Sequence, residues 1–365
     1  MLNMAMIGGG GPMSIGQTHR IAAEATGQIR LVAGVFSSDP ARSRQAGLAY
    51  GIDPARAYAD VPALLAGERD RADGADFATI VTPNHLHYPA AVAALEAGLA
   101  VMSDKPMTAR LDEARRLAAL VKETGRPFAV SYPYGGFAAV RAARAMIAEG
   151  ELGAIRKVSA TYAQGWLASA ARDAQAAWRV DPARSGVGGC IADIGVHAFH
   201  LAEFVSGLHV SRIMADLGSV VLGRTLDDDC AVLLRFENDA RGTIMASQIE
   251  AGEGNRLRLR CDGEAASLVW TLDDPHALTL HPIDGASLRL SFEEAAPAIA
   301  CPPGVHHAEG YMAAFATLYR DFAAVLQGNA APSLPGVQEG LRGVAFIETA
   351  VAASRAQSGL VDLAL

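Results

Sequence analysis

The chain has 365 residues, a formal net charge of −8 at pH 7 and 51% hydrophobic residues. That length allows two domains with separate cores, and the composition is typical of a folded protein rather than of a disordered chain. No block of Lys and Arg is interleaved with aromatic residues, and no apolar run reaches about 18 residues or follows a basic leader, so nucleic-acid binding, membrane insertion and export are not expected.

Strand and helix patterns alternate over the first 132 residues. Strands are predicted over 2–7, 29–36, 75–81, 100–103 and 128–132, and helices over 16–25, after Asp39-Pro40, after the loop 82–87 and over about 109–123. Asp39 suits a helix N-cap, Pro40 suits the first helical position, and Gly125 suits a helix C-terminus. This alternation predicts an α/β domain with a parallel, doubly wound sheet.

The pattern changes past about residue 135 to consecutive strands separated by short turns. Helices are predicted over about 136–149, 186–206, 309–327 and 336–356, and strands over 155–162, 209–222, 229–237, 241–249, 256–262, 266–272 and 276–283. A second domain of α+β type with a largely antiparallel sheet is therefore expected over 133–365. The packing of the last two helices is left open, including a return onto the first domain.

A glycine-rich turn lies between the first strand and the first helix. Glycines there let the backbone approach a pyrophosphate, and the helix N-terminus favours its charge. The turn is three residues longer than Gly-x-Gly-x-x-Gly, so a flexible turn is the structural alternative. The cofactor contacts predicted in this turn are Gly8, Gly10, Met13, Ile15 and Gly16.

Ser37 stands where an acidic residue would be expected to bind the ribose 2′-hydroxyl of NAD. With Ser38 beside it and Arg42 one helical turn beyond Asp39, a 2′-phosphate could be accepted there. This favours NADP over NAD as the cofactor. Asp39 is a competing ribose ligand, but its place before Pro40 favours helix capping.

Three further residues suggest catalysis on a hydroxyl group. Asp193 and His197 lie four residues apart in the predicted helix 186–206, where they would share one face. Lys105 follows a strand of the parallel sheet, at the edge where ligands bind. Oxidising a secondary alcohol needs a base and a positive donor for the developing alkoxide. We expect His197 and Lys105 to transfer the proton and Asp193 to orient them and bind substrate, against the alternatives of a core histidine and a solvated lysine.

Other residues are expected to flank this site. The loop residues Thr82, Pro83, Asn84 and His87, together with Asp104 and Lys105, occupy the same sheet edge and are expected to contact the cofactor. Packing at a helix start is the alternative for His87. Trp178 and Arg179 could offer a sugar a stacking face and a fork of donors, or could tether the two domains.

Metal binding and disulfides are not expected. Cys190, Cys230, Cys261 and Cys301 lie far apart and form no Cys-x-x-Cys pair, which favours free thiols in the reducing cytoplasm. The adjacent His306 and His307 point in different directions and lack further ligands. The run Asp227-Asp228-Asp229 is interpreted as a solvated turn, because it lacks the spacing of a calcium loop.

Several motifs occur in an order that carries a family resemblance: Gly16-Gln-Thr-His19, the loop Thr82 to His87, Asp104-Lys105-Pro106, and Gly188 to His197. The chain resembles the Gfo/Idh/MocA family of sugar and cyclitol oxidoreductases. The resemblance implies a Rossmann domain, a second domain with an open antiparallel sheet, NAD(H) or NADP(H), and a sugar or polyol substrate. It maps the family's catalytic lysine onto Lys105 and its acid and histidine pair onto Asp193 and His197.

The chain departs from the family pattern at three places. Asp104 replaces the usual Glu before the lysine, His200 replaces an Asp or Asn, and the Arg common after the strand 128–132 is missing. The segments Gln164-Gly-Trp166 and Trp178-Arg179 resemble the branch of levoglucosan and glycoside 3-dehydrogenases. The substrate contacts that this resemblance implies are Lys105, Tyr132, Gln164, Trp166, Trp178, Arg179, Asp193 and His197.

The leading hypothesis is a dehydrogenase that moves a hydride between nicotinamide and a secondary hydroxyl of a sugar, glycoside or cyclitol. Two alternatives stay open: an enzyme that holds its dinucleotide tightly and uses transient oxidation for epimerisation or glycosidic cleavage, and a non-catalytic dinucleotide sensor. An exposed face on the second sheet would need a cover, so a homodimer or homotetramer is expected.

Overall fold

The computed structural model describes residues 1–11, 15–169, 178–294, 299–302 and 308–365. Within these residues the strands form one sheet of five strands and one of nine. The five-stranded sheet is parallel and the nine-stranded sheet is mostly antiparallel. The expected combination of an α/β and an α+β fold is confirmed.

The first sheet has the strand order β2-β1-β3-β4-β5. Its strands are β1 (Leu2–Gly8), β2 (Ile29–Val35), β3 (Phe77–Val81), β4 (Ala100–Ser103) and β5 (Phe128–Val130). Every residue of β3 and β4 is buried, which explains why these strands are continuous apolar runs. The order reverses between β1 and β3, so the crevice beyond their carboxyl ends is where a ligand is expected.

Helices cover both faces of this sheet. They are α1 (Ile15–Ala25), α2 (Pro40–Ala49), α3 (Val61–Arg69), α4 (His87–Glu96) and α5 (Leu111–Thr124). Asp39 caps α2, and Gly125 ends α5 in the left-handed conformation, as predicted. The sequence analysis missed α3, although Asp60 caps it and a proline follows in its first turn.

The second sheet has the order β13-β12-β11-β10-β6-β9-β8-β7-β14. Its strands are β6 (Ile155–Ala163), β7 (Val210–Gly218), β8 (Asp229–Phe236), β9 (Arg241–Ser247), β10 (Arg256–Gly263), β11 (Ala266–Thr271), β12 (Ala277–Pro282), β13 (Leu288–Ser291) and β14 (Val361–Asp362). The pair β6 and β9 is parallel, and the other neighbouring pairs are antiparallel. The short edge strands β13 and β14 were not predicted.

Helices of the second half are α6 (Ala138–Ala148), α7 (Pro182–Ser185), α8 (Val196–Ser206), α9 (Tyr311–Leu326) and α10 (Val337–Arg355). One turn of π-helix, Ile191–Gly195, leads into α8. The predicted helix 186–206 therefore begins too early. A tertiary contact marks the true start: the Asp227 carboxylate accepts the N–H groups of Gly189 and Ile191 at 2.6 and 2.7 Å and so acts as the helix cap.

The interpretation of Asp227-Asp228-Asp229 as a solvated turn is wrong for its first two members. Asp227 is engaged as described, and Asp228 is fully buried. Its carboxylate accepts the N–H groups of Val220 and Val221 and pairs with Arg224 at 3.1 Å. Three adjacent acidic residues in a sequence suggest a solvated turn. Here, hydrogen-bond and ion-pair partners from outside this run compensate for the burial of two of the carboxylates.

The two C-terminal helices contact the first half of the chain. The His19 ring in α1 bonds the Tyr319 hydroxyl in α9 at 2.7 Å, and the rings of Phe77 and Phe322 pack edge to face. Helix α10 lies against α5, where Glu348 accepts the Leu111 N–H at 2.7 Å. Among the described residues, no helix combines the length and apolar character that a membrane crossing requires.

Cys190, Cys230 and Cys261 are buried free thiols, as expected, whereas Cys301 is a half-buried free thiol. Across the described parts of the chain, no group of three or more His, Cys, Asp or Glu side chains is arranged to hold a metal ion. His306 and His307 lie outside the described residues.

Three long apolar side chains lie exposed on β7, β8 and β9. Met214 is 43% exposed, Leu233 46% and Met245 48%. Met214 pairs with Leu233 across the β7–β8 register. An exposed sheet face of this kind agrees with the expectation of a cover, and the number of subunits stays a prediction.

A buried ion pair holds α8 against α10. The Arg342 guanidinium bonds both carboxylate oxygens of Glu203, at 2.5 and 2.8 Å, and the main-chain oxygen of Val210 at 2.8 Å. Both side chains are about nine-tenths buried. This pair fixes the far end of the helix that carries His197.

Replacing Arg342 with Met should lower the free energy of unfolding by about 3 kcal/mol, because the Glu203 carboxylate is left buried without its partner. Urea unfolding followed by circular dichroism measures the change. Arg116→Met is the matched control, since its pair with Asp112 is exposed and should leave stability unchanged. Equal stability losses in the two variants would contradict this account.

Candidate active site

The glycine turn brings backbone segments too close together for side chains. A Cβ atom at Gly8 would lie 2.7 Å from the Val81 oxygen, one at Gly16 would lie 2.5 Å from the Gly9 Cα, and one at Gly10 would overlap the Phe36 oxygen. Gly8 also has φ +96°, which favours glycine. Gly8, Gly10 and Gly16 therefore form a cradle of bare backbone at the N-terminus of α1, which fits the pyrophosphate of a dinucleotide.

Neighbouring residues hold this cradle in place. The Tyr50 hydroxyl donates to the Gly9 oxygen at 2.5 Å, and the Gly10 N–H donates to the Phe36 oxygen at 3.0 Å. Ile15 begins α1, as the cofactor prediction requires, whereas Met13 lies outside the described residues.

Two serines and a helix-capping aspartate follow the carboxyl end of β2. Ser37 and Ser38 follow this strand, and the Asp39 carboxylate accepts the N–H groups of Ala41 and Arg42 at 2.8 and 3.2 Å. Asp39 is thus occupied as a helix cap. The Arg42 side chain is 80% exposed and lies 3.8 Å from the Asp39 carboxylate.

The loop after β3 is fastened by its own side chains. The Asn84 amide donates to the Ser185 oxygen at 2.9 Å, which links this loop to α7. Both ring nitrogens of His87 lie 2.8 Å from main-chain oxygens, one of Thr82 and one of Pro106. These contacts place the His87 ring between the Thr82-Pro83 loop and the Lys105-Pro106 segment, which favours the packing role given as the alternative, and its contact with a cofactor stays a prediction.

Lys105 and Asp193 meet between the two sheets. The Lys105 Nζ donates to the Asp193 carboxylate at 3.0 Å and to its main-chain oxygen at 2.5 Å. Burial would raise the pKa of the Asp193 carboxyl, but Lys105 and Arg179 hold that pKa well below its usual range. Asp193 is therefore a carboxylate, and it serves as an acceptor.

Asp104 supports Lys105 from behind. Its Oδ1 accepts the Lys105 N–H and the Ser131 hydroxyl, both at 2.8 Å, and lies 3.9 Å from the His19 ring. Burial would raise the pKa of Asp104, but His19 and Lys105 hold it well below its usual range. Asp104 acts as a fixed negative charge beneath the Lys105 backbone.

His197 lies in the first turn of α8, among aromatic rings. Tyr134 and Tyr132 pack edge to face against it, with ring centroids 5.1 and 5.9 Å away. Burial and the charge of Lys105 lower the pKa of His197 well below 6.5. The Nδ1 atom is buried and has no hydrogen-bond partner among the described residues, which leaves Nε2 as the nitrogen for a substrate. His197 is thus a neutral imidazole.

Tyr132 lies behind His197 rather than beside Lys105. Its side chain is 1% exposed and stacks on the His200 ring at 4.2 Å between centroids. Burial lowers the pKa of His200 to about 3, so this ring is neutral packing material. This packing indicates a supporting role for Tyr132, and its predicted substrate contact stays untested.

Gln164, Trp166, Trp178 and Arg179 form one side of the site. The Arg179 guanidinium lies 4.8 Å from the Trp178 ring centroid and 6.0 Å from that of Trp166, and its Nε is 3.8 Å from the Asp193 carboxylate. The Trp166 indole donates to the Gln164 oxygen at 2.8 Å. The structure thus brings all four predicted substrate residues toward Asp193.

The sequence analysis missed Gln248. This buried residue follows β9, and its amide donates to the Asp193 carboxylate at 2.9 Å. The signal available in the sequence was weak: a polar residue at the end of an apolar strand. Tyr134, Tyr162 and Asn255 were missed as well, because nothing local distinguishes them from ordinary core and turn residues.

The arrangement supplies a neutral base, a positive donor and a fixed carboxylate within one partly buried cluster, beside a backbone cradle for a dinucleotide. These groups are suited to moving a proton on and off a hydroxyl.

Comparisons with known proteins agree with this arrangement. Residues 2–132 match an oxidoreductase family with an NAD-binding Rossmann fold, and residues 140–269 match the GFO/IDH/MocA C-terminal domain. The uncharacterized oxidoreductase YfiI of Bacillus subtilis is 31% identical, with 99% of this chain and 96% of that protein covered.

Two further relatives have more specific names. An inositol dehydrogenase homolog from Azotobacter vinelandii, solved with NAD+, is 33% identical with a TM-score of 0.90, covering 99% of this chain and 97% of that one. Levoglucosan dehydrogenase of Pseudarthrobacter phenanthrenivorans is 28% identical over 53% of this chain and 55% of its own. With its NAD-binding Rossmann half and its second half both matched, the chain belongs to the GFO/IDH/MocA family of oxidoreductases.

Proposed function

We propose that this enzyme transfers a hydride between nicotinamide and a secondary hydroxyl of a sugar, glycoside or cyclitol. The observation that carries the proposal is the contact of Lys105 with Asp193, one helical turn from His197, at the carboxyl edge of the parallel sheet. The cradle formed by Gly8, Gly10 and Gly16 lies at the same edge, where Gly8 pairs with Val81. A nicotinamide dinucleotide held there would accept or supply the hydride.

His197 accepts the hydroxyl proton during oxidation. It is neutral at physiological pH because burial and Lys105 lower its pKa. Its ring is held on both sides by Tyr134 and Tyr132, so Nε2 keeps one orientation. In the reverse direction the same nitrogen returns the proton to the substrate oxygen.

Lys105 and Asp193 divide the remaining work. The positive amine of Lys105 stabilises the oxygen from which the proton leaves, where negative charge develops. The Asp193 carboxylate accepts a hydrogen bond from a second hydroxyl. This division favours substrates with hydroxyls on adjacent carbons.

The substrate class rests on the wall beside Asp193 and on the relatives. Half-exposed aromatic rings and the Arg179 fork suit the apolar face and the hydroxyls of a sugar ring. The names of the relatives include inositol and levoglucosan dehydrogenases. A cyclitol and an anhydrosugar are therefore the first substrates to test, and the buried free thiols fit an enzyme of the reducing cytoplasm.

Dinucleotide reduction with a panel of cyclitols, sugars and glycosides should show turnover. His197→Gln should lower kcat by about 10²- to 10⁴-fold, because the base is lost. His281→Gln is the matched control, since His281 lies on β12 in the second sheet, away from this cluster. Full activity of His197→Gln, or no turnover of any panel member by the wild type, would refute the proposed function.

The pH dependence of the wild type should follow His197. A base works in its neutral form, so oxidation is retained above the pKa of His197 and lost as the pH falls through it. That pKa lies well below 6.5. We therefore expect kcat/KM to be constant from about pH 8 down to about pH 6.5, measured at saturating dinucleotide. A loss of activity centred at pH 7 or above would disagree.

NADP is proposed as the preferred dinucleotide. The end of β2 is followed by two serines, Ser37 and Ser38, and by the exposed Arg42. The Asp39 carboxylate caps α2. Arg42→Ala should raise the Kd for NADP about tenfold, the loss of one hydrogen bond to a charged group, and leave the Kd for NAD unchanged. Calorimetric titration with both dinucleotides measures this, and tighter binding of NAD by the wild type would reverse the preference.

A further inference from the structure

We propose that Gln248 is a positioning residue that sets the orientation of the Asp193 carboxylate toward the substrate. The inference rests on the proposed function, because it assigns a role within the same site. Gln248 itself makes no contact with the Lys105 amine, and its action passes through Asp193.

The Asp193 carboxylate is held at both oxygens by different chemistry. Its Oδ1 lies 3.0 Å from the Lys105 Nζ, and its Oδ2 lies 2.9 Å from the Gln248 Nε2. Gln248 is 2% exposed, so water does not compete for this amide. Two anchors fix the plane of the carboxylate, whereas Lys105 alone would leave it free to rotate.

A network of side chains decides which end of the Gln248 amide faces Asp193. The Gln248 Nε2 also lies 3.3 Å from the Gln164 Oε1, which accepts the Trp166 indole N–H at 2.8 Å. The Gln164 amide nitrogen donates to the Asn255 oxygen at 2.8 Å. Because Gln164 presents an oxygen to Gln248, only the nitrogen end of Gln248 satisfies both neighbours.

A neutral donor is what this position requires. A second cation at Oδ2 would further disfavour protonation of His197, which Lys105 already opposes. A carboxylate would repel Asp193, and an apolar side chain would leave Oδ2 without a buried partner. An amide supplies the hydrogen bond without a charge.

Several charged and titratable groups surround Asp193 and influence how the site responds to pH. Lys105 and Arg179 act on it from two sides. The negative charge of Asp193 also raises the pKa values of four other neighbours: Cys190, Tyr134, Tyr162 and His197. Asp104 lies beyond Lys105 and acts on His197.

Gln248→Glu tests the inference because it places a carboxylic acid against Asp193. Two adjacent carboxylates share one proton, so the pair must be protonated to keep its geometry. Relative to the wild type at the same pH, kcat/KM should fall about 100-fold at about pH 8 and recover as the pH is lowered to about 6. For Gln248→Met, kcat/KM should be about tenfold lower than that of the wild type at every pH, with no recovery at low pH.

Gln327→Glu is the matched control, since this exposed residue follows α9 and makes the same change of charge. Its kcat/KM should equal that of the wild type at each pH. A Gln248→Glu to wild-type ratio that does not change with pH overturns the positioning role.

A second readout does not depend on turnover. Carbon-13 NMR of protein labelled at the Asp carboxyl carbon follows the titration of each carboxyl group, and the Asp193 signal is assigned from the variant Asp193→Asn. In the wild type the Asp193 signal should not titrate above about pH 4. In Gln248→Glu it should show a titration step above that pH. Absence of that step overturns the inference. If the wild type turns over no substrate but the step appears, the proposed function fails and the contact between Gln248 and Asp193 stands.

Discussion

The contact between Lys105 and Asp193 determines the geometry of the whole site. Lys105 follows β4 of the parallel sheet, and Asp193 lies in the π-helical turn before α8, so the contact joins the first sheet to the helix that carries His197. Because Nζ bonds the main-chain oxygen of Asp193 as well as its carboxylate, at 2.5 and 3.0 Å, it holds the turn itself and not only a side chain. A shift of α8 away from β4 would break both bonds and leave the Lys105 amine and the Asp193 carboxylate partly buried without each other, which is energetically costly. His197 lies in the first turn of the α-helix that follows this π-helical turn, so the same contact fixes its place relative to Lys105.

Burying these charges is possible because they are balanced. Asp104 and Asp193 carry negative charge, and Lys105 and Arg179 carry positive charge, while burial keeps His197 neutral. The carboxylates accept hydrogen bonds from fixed donors, such as Ser131 for Asp104 and Gln248 for Asp193. In the proposed reaction, such fixed donors would stabilise charge on a substrate oxygen with little reorganisation of solvent.

The sequence was sufficient where the signal is local. Buried parallel strands are continuous apolar runs, and caps such as Asp39 and Gly125 mark helix ends through their own backbone geometry. Prediction from the sequence failed where the local structure depends on a residue that is distant in the chain. The start of the substrate helix depends on Asp227, about forty positions away and across a tertiary contact, so no local pattern at 186–190 reports it. Lys105, Asp193 and His197 were identified from their motifs and spacing, whereas Gln248 was not, because an amide becomes meaningful only once a carboxylate is seen beside it.

The same network that orients Gln248 also decides the proton positions around His197. The Asn255 oxygen accepts both the Gln164 amide and the Tyr162 hydroxyl, so the single proton of Tyr162 is committed. Tyr134 must then donate to Tyr162, and burial, which raises its pKa to about 12, keeps that proton in place. Neither hydroxyl can donate to His197. If Nε2 is the base, Nδ1 carries a buried N–H without an acceptor among the described residues, at a cost of about 1–3 kcal/mol. The cost is present before and after Nε2 takes a proton. Asp193 and Asp104 favour the added charge on the ring, but burial and Lys105 outweigh them and keep the pKa of His197 well below 6.5. In the proposed role, His197 would receive the substrate proton in surroundings that disfavour keeping it, which suits a base that must be neutral again before the next turnover.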